Sequence, residues 1–205
     1  MERKQNEQPE SESKPFPNII ASALRFLYDQ IEMNKSIKSM IKIPKLLQSL
    51  SALVTFRLGT HIDLDVDNQR LKVRSRSRDC LSQIQHYGDE QIQTEIVNQE
   101  YGRVMSIVIS TAGGKGEEQD YEIENGLLRI SEFLTKLHNG RNQYWYPQLQ
   151  PLPLLARRTE EQIEVEGSNE EIEAQMINKR EGYYFIMNYA DDAKAATLNH
   201  FIHSN

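Results

Sequence analysis

The segment from His61 to Arg78 constrains the fold of this chain more than any other, because its side chains alternate regularly in polarity. It reads HIDLDVDNQRLKVRSRSR, so that Ile, Leu and Val alternate first with aspartates and then with basic residues. Alternation with a period of two places the apolar side chains on one face of a β-strand. With a turn at Asn68-Gln69, the pattern predicts a hairpin with one buried face, one acidic strand and one basic strand.

Three further segments are rich in β-prone residues. Residues 103–110 (RVMSIVIS) are nearly all apolar, which favours a central strand covered on both sides. Residues 121–124 predict a strand that follows a glycine loop, and residues 182–190 (GYYFIMNYA) predict another near the C-terminus. Together with the hairpin, these segments predict a mainly antiparallel sheet.

Apolar residues at helical spacing predict helices packed on this sheet. Residues 126–138 form the most regular amphipathic segment, and residues 79–101 form a longer helical candidate that Gly88 interrupts. The first helix is predicted after Asn18, and a less regular apolar stretch covers residues 40–58. The predicted fold class is therefore α+β. The stripes of the first helix and of residues 126–138 consist of Ile20, Leu24, Leu27 and Ile31, and of Leu127, Ile130, Leu134 and Leu137.

Length and composition indicate one hydrophilic domain. The 205 residues suit a single unit, and polar residues 1–15 predict a disordered tail before a domain of residues 16–205. A net charge of −6 argues against a dedicated nucleic-acid-binding protein, which normally carries a basic excess. No apolar run reaches the roughly 18–20 residues of a membrane helix. We therefore expect neither nucleic acid nor a membrane among the partners, and an intracellular location because there is one cysteine, Cys80.

The motifs that resemble chemical sites are incomplete. Asp63, Asp65 and Asp67 begin like a calcium loop, but Asn68 stands where that loop needs glycine. Residues 113–116 (GGKG) lack the spacing and the following Ser or Thr of a phosphate loop. The sequence therefore predicts no catalytic residue, no metal ligand and no cofactor. An enzyme of unrecognised class stays open as an alternative, because catalytic groups can converge from distant segments.

Three surfaces are candidates for binding a partner. The basic residues between Arg70 and Arg78 could contact an acidic protein or phosphates. On the helix 126–138, Leu128 is predicted to face outward among charged residues. The adjacent aromatics Tyr144, Trp145 and Tyr146 lie in a segment without periodicity, where they either anchor the loop on its own core or contact a partner.

Between residues 75 and 155 the order of motifs resembles a known family. A Ser-Arg-x-Cys helix is followed by an Arg-Val strand, a glycine loop, a Tyr-Glu strand, an amphipathic helix and a Pro-Leu segment. This layout is similar to that of the comet adaptors, proteins of the HORMA fold that bind the mitotic-arrest-deficient spindle-checkpoint protein. The matching residues are Ser77, Arg78, Cys80, Arg103, Val104, Gly113, Gly114, Tyr121, Glu122, Leu127, Arg129, Pro153 and Leu154.

The resemblance implies a HORMA-like sheet backed by about three helices, with a C-terminal segment that wraps the sheet. It also implies a non-enzymatic adaptor that binds the closed checkpoint HORMA protein and promotes its remodelling by an AAA+ ATPase, which silences the mitotic checkpoint. The implied location is the nucleus and cytoplasm, with the kinetochore or spindle in mitosis. The contact would lie on the helix 126–138, through Leu128, Arg129, Glu132, Phe133 and Lys136.

The alternative to the adaptor is a structural or regulatory subunit of a larger protein assembly. Such a subunit would use the aromatic loop 144–146 as its contact.

Overall fold

A computed structural model of the chain describes residues 16–34, 43, 45–110, 120–177 and 184–202, and within these ranges it is helical and contains no sheet. The predicted α+β, HORMA-like fold with a C-terminal segment wrapping a sheet is therefore wrong. The helices within the described ranges are α1 (Phe16–Asn34), α2 (Leu46–Val54), α3 (Leu64–Tyr87), α4 (Glu90–Asn98), α5 (Tyr101–Ser110), α6 (Asp120–Asn139), α7 (Pro153–Val165), α8 (Ser168–Met176) and α9 (Tyr184–Ile202).

The predicted hairpin is in fact the first two thirds of α3. Asp63 is the N-cap of this helix, and its carboxylate accepts a hydrogen bond of 2.9 Å from the backbone N–H of Val66. Asp65 and Asp67 lie in the first turn, where negative charge interacts favourably with the positive end of the helix dipole. The aspartates that suggested an acidic strand thus begin a helix.

The basic half of the same segment is also helical, and three of its arginines are buried. Arg70, Arg74 and Arg78 are four residues apart and lie on one face of α3. Arg70 donates to the carbonyl of Thr60 (2.7 Å), and Arg74 donates to the carbonyl of Phe56 (3.4 Å). These three side chains are therefore part of the interior and do not form the surface that was predicted to contact phosphates or an acidic partner.

The other predicted strands are also helical. Residues 103–110 belong to α5, which is buried on nearly every side, so its continuous apolar run reflects burial of a short helix. Residues 121–124 lie in the first turns of α6, and residues 184–190 begin α9. The remainder of the last predicted strand, residues 182–183, lies outside the described residues, as do the glycine loop 113–116 and the tail 1–15.

The helical predictions are confirmed in outline. The segment 126–138 lies within α6, and all four residues of its predicted stripe are buried. The predicted helix after Asn18 corresponds to α1, in which Leu24 and Ile31 are buried. The predicted helix 79–101 is divided among α3, α4 and the start of α5. Gly88 lies at the first division, because a Cβ there would lie 2.5 Å from Cγ2 of Ile92.

The helices from α4 to α9 form two successive units of three helices. Two short helices and a longer one, α4–α5–α6, are followed by α7–α8–α9 in the same order. Each helix of the first unit contacts its equivalent in the second: α4 contacts α7, α5 contacts α8, and α6 contacts α9. On the other side, α2 contacts α5, α3 contacts α6, and α1 packs on α3. None of the described helices is long and apolar enough to cross a membrane.

One buried ion pair joins α3 to α6. Arg78 Nη2 donates to Glu122 Oε2 at 2.7 Å, and both side chains are almost completely buried. Removing one partner of a buried pair leaves the other charge in a low-dielectric environment, which costs about 3–5 kcal/mol. We predict that Arg78→Ala lowers the free energy of unfolding by this amount in urea denaturation, and that adding Glu122→Ala costs less than the sum of the single substitutions.

The matched control is Arg157→Ala, which removes an exposed i, i+4 pair with Glu161. Its expected effect is about 0.5 kcal/mol or less, because solvent screens such a pair. If Arg78→Ala and Arg157→Ala lower the free energy of unfolding equally, the buried pair stabilises the fold no more than an exposed pair does.

Candidate protein-interaction site

A nine-residue loop from Arg141 to Leu149 follows α6, and most of its residues are exposed. Its base is closed by two backbone hydrogen bonds between Arg141 and Leu149, of 2.7 and 2.9 Å. The side chain of Leu149 is buried, and the N–H of Leu152 donates to the carbonyl of Leu137 at 2.7 Å. Both ends of the loop are therefore fixed to the helical body.

Gly140 allows the chain to turn from α6 into the loop. Its φ of +74° lies in the left-handed region, and its N–H donates to the carbonyl of Lys136 at 2.9 Å. A Cβ at this position would lie 2.4 Å from the carbonyl oxygen of Leu149. The close approach of the two ends of the loop thus requires glycine at this position.

The side chain of Arg141 fixes the loop from inside. Its Nε donates to the carbonyl of Pro147 within the loop at 3.0 Å, and Nη2 donates to the carbonyl of Gly88 at 2.7 Å. Nη1 donates to the carbonyl of His86. Because His86 and Gly88 end α3, the guanidinium also places a positive charge at the negative end of that helix. One buried side chain therefore joins the loop to the C-terminus of α3.

The three aromatic residues of the loop have different environments. Tyr146 is turned inward, and its ring centroid lies 4.6 Å from that of His86 and 5.5 Å from that of Tyr87. The Arg141 guanidinium lies over the face of the Tyr146 ring. Tyr144 and Trp145 are turned outward and are 92% and 75% exposed. Their rings are nearly perpendicular, with centroids 5.1 Å apart. The sequence left open whether these aromatic residues anchor the loop or contact a partner. In the structure Tyr146 anchors the loop, and Tyr144 and Trp145 are exposed.

The base of the loop is positively charged. Lys136 Nζ lies 3.3 Å from Nδ1 of His86, and the Arg141 guanidinium donates to the backbone carbonyl of the same residue. Burial lowers the pKa of His86 below its ordinary value of 6.5, and the charges of Lys136 and Arg141 lower it further, while Glu132 opposes them. Because Nδ1 must be unprotonated to accept a hydrogen bond from the Lys136 ammonium, the neutral imidazole fits the geometry.

The residues that the family resemblance predicted as contacts lie on α6 and are mostly engaged within the chain. Phe133 is 1% exposed, and its ring packs edge-on against Tyr101 at 4.7 Å. Arg129 donates to Asp79 at 2.6 Å, and Lys136 pairs with Glu132 at 3.2 Å. Leu128 is half-buried, and Glu132 is the exposed member of the set. Their binding role stays a prediction, but the ring of Phe133 is turned into the core.

A cleft with a volume of about 460 Å³ lies between α3 and α6. Three of its charged side chains form ion pairs: Arg76 with Asp79 at 3.4 Å, and Glu122 with the adjacent Arg78. Cys80, on α3, is buried against α1, where its Sγ donates to the carbonyl of Leu24, and burial raises its pKa to about 12. The Cys80 thiol is therefore protonated at neutral pH.

No group of three or more His, Cys, Asp or Glu side chains that could hold a metal ion occurs in the described part of the chain. No protein-family model matches the sequence, and a search of the curated proteins returns no match.

Sequence reasoning identified the aromatic triplet but missed the residues that support it. Gly140 was recognisable as a helix C-terminal signal, whereas Arg141 and His86 are ordinary polar residues in the sequence. Nothing in the sequence indicates that Arg141 is buried against carbonyls more than fifty residues away. The mutual support of these residues is therefore visible only in the structure.

We predict that Arg141→Lys loosens the loop although it keeps the charge. Lysine cannot reproduce the planar fork that donates to three carbonyls at once, so buried acceptors lose their donors at about 1–3 kcal/mol. Hydrogen exchange of residues 141–149 should become faster, and the free energy of unfolding should fall. Asn142→Ala, an exposed position in the same loop, is the control and should change neither. Unchanged exchange in Arg141→Lys would show that the guanidinium does not fix the loop.

We also predict that His86 makes the folded state pH-dependent. Because its pKa is lower in the folded than in the unfolded chain, the unfolded state takes up a proton first as the pH falls. This contribution to stability is fully present above the ordinary pKa of 6.5 and is lost as the pH decreases towards the folded value. Urea denaturation at pH 7.5 and pH 5.5 should show a smaller loss for His86→Gln than for the unaltered protein. The same loss in both would contradict the prediction.

Proposed function

We propose that this protein is a helical subunit of a larger protein assembly and that it contacts a partner protein through Tyr144 and Trp145. The observation that carries the proposal is the exposure of two large aromatic side chains on a loop that is fixed from inside. Tyrosine and tryptophan are the residues that most often dominate the binding energy of protein interfaces.

The fixed loop makes the exposed pair suited to binding. A mobile loop loses conformational entropy when it binds, whereas this loop is closed at its base and held by Arg141 and Tyr146. The perpendicular packing of Tyr144 on Trp145 further restricts both rings. The cost of ordering the contact residues is therefore largely met during folding.

The chemistry of the pair indicates the kind of partner surface. Both rings are apolar, but each carries one hydrogen-bond donor, the phenol O–H of Tyr144 and the indole N–H of Trp145. The complementary surface is an apolar pocket whose rim offers acceptors such as backbone carbonyls. This combination is typical of protein interfaces, whose buried core is apolar and whose rim is polar.

The checkpoint-adaptor role stays a prediction without structural support. It presupposed a sheet and a C-terminal segment that closes over it, and the described residues contain neither. Direct binding of the purified protein to the closed checkpoint protein would test that role separately, with Glu132→Ala and Leu128→Asp as the informative variants.

The test of the proposed function compares the unaltered protein with Tyr144→Ala/Trp145→Ala. The two proteins are used to isolate partners from the source cells, and each protein that differs between them is purified and titrated by calorimetry. Loss of a hot-spot aromatic typically costs 2 kcal/mol or more, so we predict that affinity for the true partner falls about 30-fold or more.

The matched control is Val165→Ala, which truncates an apolar side chain of similar exposure at the end of α7. It should bind like the unaltered protein. The double variant should unfold at the unaltered temperature, because both rings are exposed. The proposal fails if every purified binder tolerates the loss of both rings, or if binding weakens only together with stability.

A further inference from the structure

Helix α1 has two apolar faces, and α3 covers only one of them. Leu24 and Ile31 are buried on the inner face, where α1 packs on α3. A second set of residues precedes the inner set by one position along the helix, and its large members are exposed: Ile19 by 63%, Phe26 by 66% and Met33 by 70%. We define the outer seam of α1 as Phe16, Ile19, Ala23, Phe26, Gln30 and Met33.

The spacing of the outer seam is that of a coiled coil. Its members follow one another at alternating intervals of three and four residues through the whole helix. This repeat places them in one continuous line that can pack against a second helix. An amphipathic surface helix needs only one apolar stripe, so the second stripe indicates that α1 has a further neighbour.

The position of α1 strengthens this argument. It forms one end of the described stack, and stacks of helical units need a polar outer face on their end helices to remain soluble. Helix α9, at the other end, meets this requirement: its described exposed side chains include Asn188, Asp191 and Asp192. The outer seam of α1 is mostly apolar and does not meet this requirement, so we expect another protein surface to cover it.

We infer that the outer seam of α1 is covered by α1 of a second copy of this chain, in an antiparallel two-fold symmetric dimer. An interface of this type uses the same surface on both copies, so the surface must complement itself. When two outer seams run in opposite directions, Phe26 of each copy lies opposite Ala23 of the other. The large ring thus enters the space left by the smallest residue of the seam.

The remaining positions complement one another in the same register. Phe16 lies opposite Met33 of the other copy, and Ile19 lies opposite Gln30, so each layer contains a large apolar side chain. A parallel pair in register would instead place Phe26 against Phe26 and leave a gap between the two Ala23 residues. The distribution of large and small residues therefore favours the antiparallel arrangement.

Area and charge are consistent with this dimer. The four large residues of the seam are 53–70% exposed, and if each loses about 125 Å² of accessible surface, they bury about 500 Å² on each copy. The total of roughly 1,000 Å² is the area at which specific interfaces begin.

Arg25 approaches the two-fold axis, but its charge is balanced by Asp29 at 3.0 Å on the same helix. Stacking on the α9 end of another copy would instead place Asp191 and Asp192 against apolar side chains, which is unfavourable.

The first test measures the mass of the full chain in solution. We expect sedimentation velocity to show twice the 23.8 kDa of one chain. Phe26→Asp should weaken dimerisation roughly 100-fold or more, since symmetry removes the contact twice. It should leave the unfolding temperature of the monomer unchanged, because the ring is mostly exposed. Val165→Asp, at an exposed apolar position outside α1, should remain dimeric.

The second test determines orientation by disulfide cross-linking. Single variants Phe16→Cys and Met33→Cys are oxidised separately and as a mixture of differently tagged proteins, and the native Cys80 is buried and inert. The antiparallel dimer predicts a cross-link only between the two different variants. Cross-links within each single variant would overturn the antiparallel arrangement.

A monomer at every concentration would overturn the inference. If Phe26→Asp then also lowered the unfolding temperature by several degrees, the outer seam would be covered by another part of the same chain.

Discussion

The burial of Arg70, Arg74 and Arg78 on one face of α3 is the constraint on which the rest of the structure depends. A guanidinium leaves water only when carbonyls or carboxylates replace its hydration. Thr60 and Phe56 supply carbonyls from the turns before α3, and Glu122 supplies a carboxylate from α6. These contacts fix the path into α3 and the position of α3 against the next unit of the stack.

The same helix determines where the aromatic loop lies. The C-terminus of α3 leaves carbonyls without partners in the helix. Gln93 donates to the carbonyls of Gln85 and Gly88, and Arg141 donates to those of His86 and Gly88. Side chains from α4 and from the loop thus meet at one helix end. A structural requirement of α3 is thereby satisfied by the residue that holds Tyr144 and Trp145 in place.

The two proposed contact surfaces are connected through α3. Helix α1 packs along α3, and Tyr28 of α1 accepts a hydrogen bond of 3.0 Å from Gln83. Gln83 lies one turn before the C-terminal end of α3, against which the base of the loop packs. A dimer through α1 would present the aromatic loop twice, and a partner with two matching pockets would bind more tightly through the high effective concentration of the second loop. The loop contact does not require the dimer, since Tyr144 and Trp145 are exposed in a single chain.

The sequence by itself determined the elements whose exposed face is polar and whose buried face is apolar. The stripe from Leu127 to Leu137 has this form, and it is buried in α6 as its spacing predicts. The sequence also showed that an aromatic triplet lies in an irregular segment. The sequence-based prediction was wrong where the polarity of a side chain did not match its burial. The alternating arginines of α3 resemble the outer face of a strand, and α5, which is buried on nearly every side, lacks the apolar period that distinguishes a helix.

Only the tertiary structure decided which polar groups are inside and which aromatic residues are outside. Arg141 is buried because α3 ends beside it, and Tyr146 is turned inward because His86 and Tyr87 offer it a surface. Tyr144 and Trp145 find no such neighbour and remain exposed. These outcomes depend on groups that are distant along the chain. Local spacing therefore predicts the amphipathic helices, whereas the fold, the anchored loop and the outer seam of α1 follow from which surfaces the packed helices leave uncovered.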